Sequence, residues 1–172
     1  MNNSPIGVYD SGFGGLSVWR EIHRRLPEES LLYLGDGKNC PYGGRSREEI
    51  TAFAREAVGR LIGEGVKMVV VGCNTATTAA VDALRAEWPD IPIVGLEPAV
   101  KPACLSSRTR RIAVLATAHS LQSDMFLNTA RRYAADVEVI KVEGRGFVEL
   151  VEASEEDSPK AERLVREVVE PL

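Results

Sequence analysis

Short runs of aliphatic and β-branched residues alternate with amphipathic stretches along this chain, and this alternation restricts the fold more than any other feature. Residues 67–71 are almost continuously apolar, as in strands buried on both faces of a parallel sheet. The stretches that follow such runs carry apolar residues three and four positions apart, which is typical of one face of a helix. Four strand–helix units in the first hundred residues predict an α/β fold with a parallel sheet and helices on both faces. Strands are predicted at residues 6–9, 31–34, 67–71 and 91–94.

Two local signals fix where helices begin. Ser46 followed three positions later by Glu49 forms a capping box, and the helix after it has apolar residues from Ile50 to Leu61 on one face. Ser158 followed by Pro159 predicts a second helix start, because proline is well suited to the first helical position.

After residue 98 the strand–helix order starts again, with strands predicted at 111–115 and 137–142 and a helix at 121–133. We therefore expect two similar lobes, residues 1–97 and 98–172, each with a mostly parallel sheet flanked by helices and joined by a hinge near residues 96–101. The sequence ends on a helix with no strand after it, so we expect the second lobe to be incomplete. The acidic stretch at residues 152–157 is predicted to be a solvated connector.

Composition excludes several classes of protein. The 172 residues include 21 basic and 25 acidic side chains without a basic stripe, which argues against a nucleic-acid partner. No apolar stretch is long enough to cross a bilayer and no signal peptide is evident, so we expect a cytoplasmic protein without a membrane partner. The three cysteines fit no zinc spacing, so we expect free thiols and no metal.

Three of the four strands predicted in the first hundred residues end in unusual polar loops, at the edge where open parallel sheets bind ligands. The first loop, DSGFGG at residues 10–15, matches no phosphate-binding motif, and its glycines either expose N–H groups to an anion or only allow close packing. The second loop contains CPYG at residues 40–43, a turn that either presents the Tyr42 ring and a backbone N–H to a ligand or lies plainly on the surface.

The third loop, GCNTAT at residues 72–77, places a thiol, an amide and hydroxyl groups where a buried strand leads into a helix. The positive end of a helix favours thiolate over thiol, so Cys73 is a candidate reactive group. The alternative is a small buried cysteine, although Asn74 and Thr75 directly after it favour a ligand site. With no histidine in these loops, a thiolate that accepts a proton from a small amino acid fits best.

Taken in order, these motifs resemble those of bacterial glutamate racemases: IGVYDSGFGG at residues 6–15, CPYG at 40–43, GCNTA at 72–76 and the link PIVGLEPAVKP at 92–102. The resemblance runs from residue 5 to residue 172. It implies an isomerase of two α/β domains that interconverts L- and D-glutamate without a cofactor, by proton transfer between two cysteines. Such enzymes supply D-glutamate for peptidoglycan synthesis, and hence for cell wall biogenesis and cell shape.

Carried over by position, the resemblance makes Cys73 one of the two acid/base thiols, with Asp10 assisting its proton transfer. The positions it implies for substrate binding are Asp10, Ser11, Tyr42, Gly43, Asn74 and Thr75, with weaker matches at Ser120 and Glu152.

The resemblance stops short at the second thiol. The family carries it in a Gly-Cys-Thr-His motif that this chain lacks, and Cys104 does not replace it. We therefore expect a C-terminally truncated racemase whose own activity is doubtful; the alternatives are a non-catalytic amino-acid-binding fragment and an aspartate racemase. A homodimer is also possible.

Overall fold

The computed structural model describes residues 2–96 and 99–172 of the chain, which form six strands and eight helices. In chain order these are β1 (Ile6–Asp10), α1 (Leu16–Arg25), β2 (Leu31–Gly35), α2 (Arg47–Gly63), β3 (Met68–Val71), α3 (Asn74–Glu87), β4 (Ile93–Gly95), α4 (Val100–Ser106), β5 (Arg111–Ala116), α5 (Ala118–Gln122), α6 (Asp124–Tyr133), β6 (Glu138–Glu143), α7 (Phe147–Glu152) and α8 (Pro159–Val169).

Contacts divide the chain into two compact units, with the boundary just after Leu96. The hinge predicted near residues 96–101 includes residues 97 and 98, which lie outside the described part of the chain. Within the described residues, no helix is both long and apolar enough to span a membrane.

The first unit contains a four-stranded sheet in the order β2-β1-β3-β4, and every neighbouring pair is parallel. The predicted parallel sheet is therefore confirmed. β1 lies between β2 and β3, so Asp10 at its end is level with Gly35 of β2, and Tyr9 is level with Val71 of β3. This register brings the loops that follow the three strands to one edge of the sheet.

Helices cover both faces of this sheet because side chains alternate along each strand. Ile6 and Val8 pack with Trp19 and Ile22 of α1 on one face. On the other face, Gly7 lies so close to Leu61 of α2 that an added Cβ would be 3.2 Å from that side chain. β1 is thus buried along its whole length.

Both predicted helix starts are confirmed. The Ser46 hydroxyl accepts the backbone N–H of Glu49 at 3.2 Å, and the Glu49 carboxylate accepts the N–H of Ser46 at 2.9 Å. Ser158 caps α8 in the same way, accepting the N–H of Ala161, with Pro159 as the first helical residue.

The second unit contains β5 and β6 as a parallel pair, with a core built around Val100, Cys104 and Phe126. The single helix predicted at residues 121–133 is wrong, because the chain forms α5 and α6 with an extended residue, Ser123, between them. The Ser123 hydroxyl donates to the Ser120 carbonyl at 2.8 Å and accepts the N–H of the residue three positions on, so it ends one helix and begins the next. Helices α4 and α7 were not predicted from the sequence.

Candidate active site

Cys73 lies at the edge where β1 and β3 end, between β3 and α3, and is the N-cap residue of α3. Its Sγ accepts the backbone N–H of Ala76 at 3.3 Å and lies 3.4 Å from the hydroxyl oxygen of Ser11. The residue is 7% exposed. Two of the three predicted loops therefore meet at this sulfur.

Close backbone packing holds the Cys73 turn against β1. The N–H of Gly72 donates to the Tyr9 carbonyl at 2.7 Å, and a Cβ on Gly72 would lie 3.2 Å from the Cα of Gly15. Gly15 of the first loop thus serves packing between the two loops.

The pKa of the Cys73 thiol is raised above its ordinary value, chiefly because the group is buried and also because the negative charge of Asp10 is near. Hydrogen bonds from Ser11 and from Ala76 oppose this shift. The prediction that the helix terminus makes thiolate the favoured form is therefore wrong in net direction. The helix does lower the pKa as expected, but the cost of desolvating the charge is larger.

Asp10 is 6% exposed at the end of β1, and its Oδ1 accepts the N–H of Gly12 at 2.8 Å. Gly15 packs directly on this side chain: a Cβ there would lie 2.6 Å from the Cβ of Asp10. The carboxylate is held by its own loop close enough to Cys73 to act on the charge of the thiol.

The ring of Tyr42, which was predicted to face a ligand or to belong to a plain surface turn, points away from solvent, while Pro41 beside it is exposed. Tyr42 is 2% exposed, and its ring packs on Phe53 at a centroid distance of 5.6 Å. Its hydroxyl donates to Asp36 Oδ2 at 2.6 Å and lies 2.8 Å from the Tyr9 hydroxyl oxygen. Burial is the main reason that the pKa values of both tyrosines are raised.

Sequence reasoning assigned no role to Asp36 or to Tyr9, although both hold the second loop. The Asp36 carboxylate accepts two hydrogen bonds from the Asn39 amide, at 3.0 and 2.9 Å, in addition to the one from Tyr42. Its backbone N–H donates to the Asp10 carbonyl at 2.9 Å. The available signal was an acidic residue directly after a strand, followed three positions later by asparagine, as in turns closed by side chains.

The other predicted residues of the first unit differ in exposure. Asn74, the first residue of α3, is exposed, whereas Thr75 is 6% exposed and Gly43 is half-buried. The predicted site residues thus include both exposed and buried polar side chains.

The weaker matches lie in the second unit. Ser120 is buried in α5, where its N–H donates to the Thr117 hydroxyl at 3.3 Å, and Glu152 is the last residue of α7. Cys104 lies in that unit's apolar core and is 4% exposed. Among the described residues, no group of three or more histidine, cysteine or acidic side chains is arranged to hold a metal ion.

Known proteins resemble this chain in both sequence and fold. The profile of the Asp/Glu/Hydantoin racemase family matches residues 6–172. A glutamate racemase from Stutzerimonas stutzeri is 47% identical over 98% of the chain and 64% of its own length. The solved glutamate racemase of Bacillus anthracis superposes with a TM-score of 0.86 at 36% identity, covering 99% of this chain and 64% of that one. That of Francisella tularensis gives 0.82 at 29% identity, with 99% and 64% covered.

The chain thus spans about 64% of the length of these relatives. Because the matched residues include all three loops at the sheet edge and nearly the whole sequence, the chain belongs to the Asp/Glu/Hydantoin racemase family.

Proposed function

We propose that this chain supplies Cys73 as one of the two proton-transfer thiols of a glutamate racemase, an enzyme that provides D-glutamate for peptidoglycan synthesis. The observation that carries the proposal is the position of the Cys73 sulfur, held by Ser11 and Ala76 next to a buried Asp10 at the edge of the sheet. Relatives with this chain's sequence pattern are named glutamate racemases.

In the proposed reaction the Cys73 thiolate takes the α-proton of glutamate, and the electron pair of the broken C–H bond is delocalised into the substrate carboxylate. A second thiol on the opposite face then delivers a proton to the α-carbon. Hydrogen-bond donors at the carboxylate stabilise the charge that develops there. No cofactor takes part.

The substrate itself would help to form the thiolate. The charge of Asp10 raises the Cys73 pKa, and a bound ammonium group is a cation that offsets this charge. Asp10 is thus assigned to the substrate ammonium group and to assisting proton transfer.

Donors for the substrate carboxylates are assigned to Ser11, to the turn at Tyr42 and Gly43, and to Asn74 and Thr75. Because the Tyr42 ring is buried, the donors assigned to this turn are its backbone N–H groups. Support comes from the Francisella tularensis glutamate racemase, whose structure was solved in complex with D-glutamate.

Exchange of the α-proton in D₂O tests the proposal without requiring a second thiol. One thiol that removes the proton and returns a deuteron to the same face exchanges one enantiomer of glutamate without racemising it. We expect ¹H NMR to show loss of the α-proton signal for one enantiomer, and chiral chromatography to show retained configuration.

Matched cysteine variants identify the group responsible. Cys73→Ser is expected to abolish the exchange, whereas Cys104→Ala, which changes a cysteine in the second unit, is expected to retain it. Exchange that persists in Cys73→Ser would show that another group is the base.

The alternatives give different results in the same experiment. Binding of glutamate without exchange would identify an amino-acid-binding protein, and faster exchange of aspartate than of glutamate would identify an aspartate racemase. If the chain neither binds glutamate nor exchanges its α-proton, the proposal is refuted for this chain. A cytoplasmic location and a homodimer stay predictions, which cell fractionation and size-exclusion chromatography would test.

A further inference from the structure

Thr77 is a buried polar residue that the proposed reaction does not use. It lies in the first turn of α3, four residues after Cys73, and is 1% exposed. Its hydroxyl donates to the Val71 carbonyl, the last of β3, at 3.3 Å and accepts the N–H of Leu96 at 3.3 Å. One hydroxyl therefore connects the ends of two adjacent strands to the helix.

The backbone of Thr77 makes a third connection to the same turn. Its N–H donates to the Cys73 carbonyl at 2.9 Å. The turn from Val71 to Cys73 is thus held at both of its end carbonyls by this residue, directly beside Ala76, whose N–H contacts the sulfur at 3.3 Å.

The methyl group of Thr77 also occupies a fitted position. A Cβ added to Gly95 would lie 2.6 Å from the Thr77 Cγ2, so β4 approaches the helix here without room for a side chain. Both branches of the threonine side chain therefore restrict where the first turn of α3 can lie.

We propose that Thr77 is a positioning residue for Cys73: its hydroxyl fixes the first turn of α3 against the ends of β3 and β4, and thereby keeps the Ala76 N–H directed at the sulfur. The proposal deepens the proposed function, since it rests on Cys73 being the proton-transfer group. Loss of the hydroxyl should weaken the hydrogen bond that stabilises the thiolate.

The pH dependence of Cys73 alkylation tests this proposal and does not require glutamate. Only the thiolate reacts with iodoacetamide, so the midpoint of the rate profile reports thiol ionisation. Trypsin places Cys73 in the peptide of residues 68–85, which contains no other cysteine, so mass spectrometry can follow it alone. The matched variants are Thr77→Val, which keeps the shape, and Thr77→Ser, which keeps the hydroxyl.

We expect the midpoint in Thr77→Val to move to higher pH, with the rate below the midpoint about fivefold lower, and Thr77→Ser to remain close to wild type. Amide exchange at Leu96 should quicken in the valine variant only. Circular dichroism confirms that each variant is folded.

Equal midpoints in wild type and Thr77→Val would overturn the proposal. Equal shifts in both variants would also overturn it, because packing rather than the hydroxyl would then matter. A downward shift would show that the turn opens to solvent, which is again contrary to the proposed role. Because no substrate is used, these outcomes are independent of whether the chain exchanges the α-proton of glutamate.

Discussion

Adding a single methyl group at Gly15 should strain the candidate site, and the adjacent Gly14 offers a matched control. In Gly15→Ala the new Cβ would lie 2.6 Å from the Asp10 Cβ and 3.1 Å from its Cγ. Carbon atoms in favourable contact are about 3.5–4.0 Å apart, so a displacement of about 1 Å is required. The Asp10 Cβ is fixed to the end of a buried strand and cannot swing aside as the tip of a long side chain could.

The expected cost follows from two opposing effects. Overpacking of this kind costs about 1–3 kcal/mol. The backbone of Gly15, with φ -65° and ψ -13°, is compatible with alanine. Alanine also lowers the conformational entropy of the unfolded chain, which stabilises the folded state by about 0.4–1 kcal/mol. We therefore expect Gly15→Ala to lower the free energy of unfolding of the first unit by about 1–2 kcal/mol, and its Tm by about 5–10 °C.

Gly14→Ala should behave in the opposite way. Its Cβ would meet nothing closer than the Asp10 Oδ1 at 4.0 Å, and its φ is not positive, so we expect no loss of stability and a gain of up to about 0.5 kcal/mol.

Urea denaturation and thermal melts followed by circular dichroism measure both variants, and alkylation of Cys73 shows whether displacement of Asp10 reaches the thiol. If Gly15→Ala proves as stable as Gly14→Ala, the close packing of the first loop on Asp10 is not the constraint inferred here.

Three further changes test separate parts of the structure. Ser11→Ala removes a hydrogen bond that lowers the Cys73 pKa, so the pH profile of Cys73 alkylation should move to higher pH; an unchanged profile would contradict the 3.4 Å contact. The pKa values of Tyr9 and Tyr42 are raised in the folded state, so the unfolded chain loses these protons first and stability should fall as pH rises above about 10. Urea titrations from pH 8 to 11 measure this fall, which Tyr42→Phe should reduce. Ser46→Ala removes the N-cap of α2 and should cost about 1 kcal/mol in the same assay, whereas a cost near zero would mean that the capping box contributes little.

Local features were predictable from sequence because their causes lie within a few residues. The capping box at Ser46 and the proline start at Pro159 depend on neighbouring atoms alone, and the structure contains both. The parallel sheet was predictable because the alternation of strand and helix leaves few other arrangements. The break at Ser123 was missed because apolar spacing continues across it, whereas the hydroxyl's two hydrogen bonds depend on the backbone already being extended there.

Features that depend on burial could not be read from the motifs. The helix terminus beside Cys73 was evident in the sequence, but the depth of the sulfur, which decides its pKa, is a property of the packed sheet. Similarly, the CPYG turn was evident in the sequence, but the partners of the Tyr42 hydroxyl were not. They are Tyr9, which lies on β1, and Asp36, which directly follows β2. Residue types predicted where chemistry is possible, and tertiary packing determined which atoms are available for it.

The capping of α3 by a sulfur atom links the chemistry of Cys73 to the stability of the helix. The lone pairs that accept the Ala76 N–H belong to the same atom that is proposed to carry the proton. A thiolate is a stronger acceptor than a thiol, so each ionisation of Cys73 strengthens the cap and each protonation weakens it. By reciprocity, whatever free energy the helix contributes to the thiolate, the thiolate returns to the helix. The first turn of α3 is therefore expected to tighten and relax once in every cycle of proton transfer.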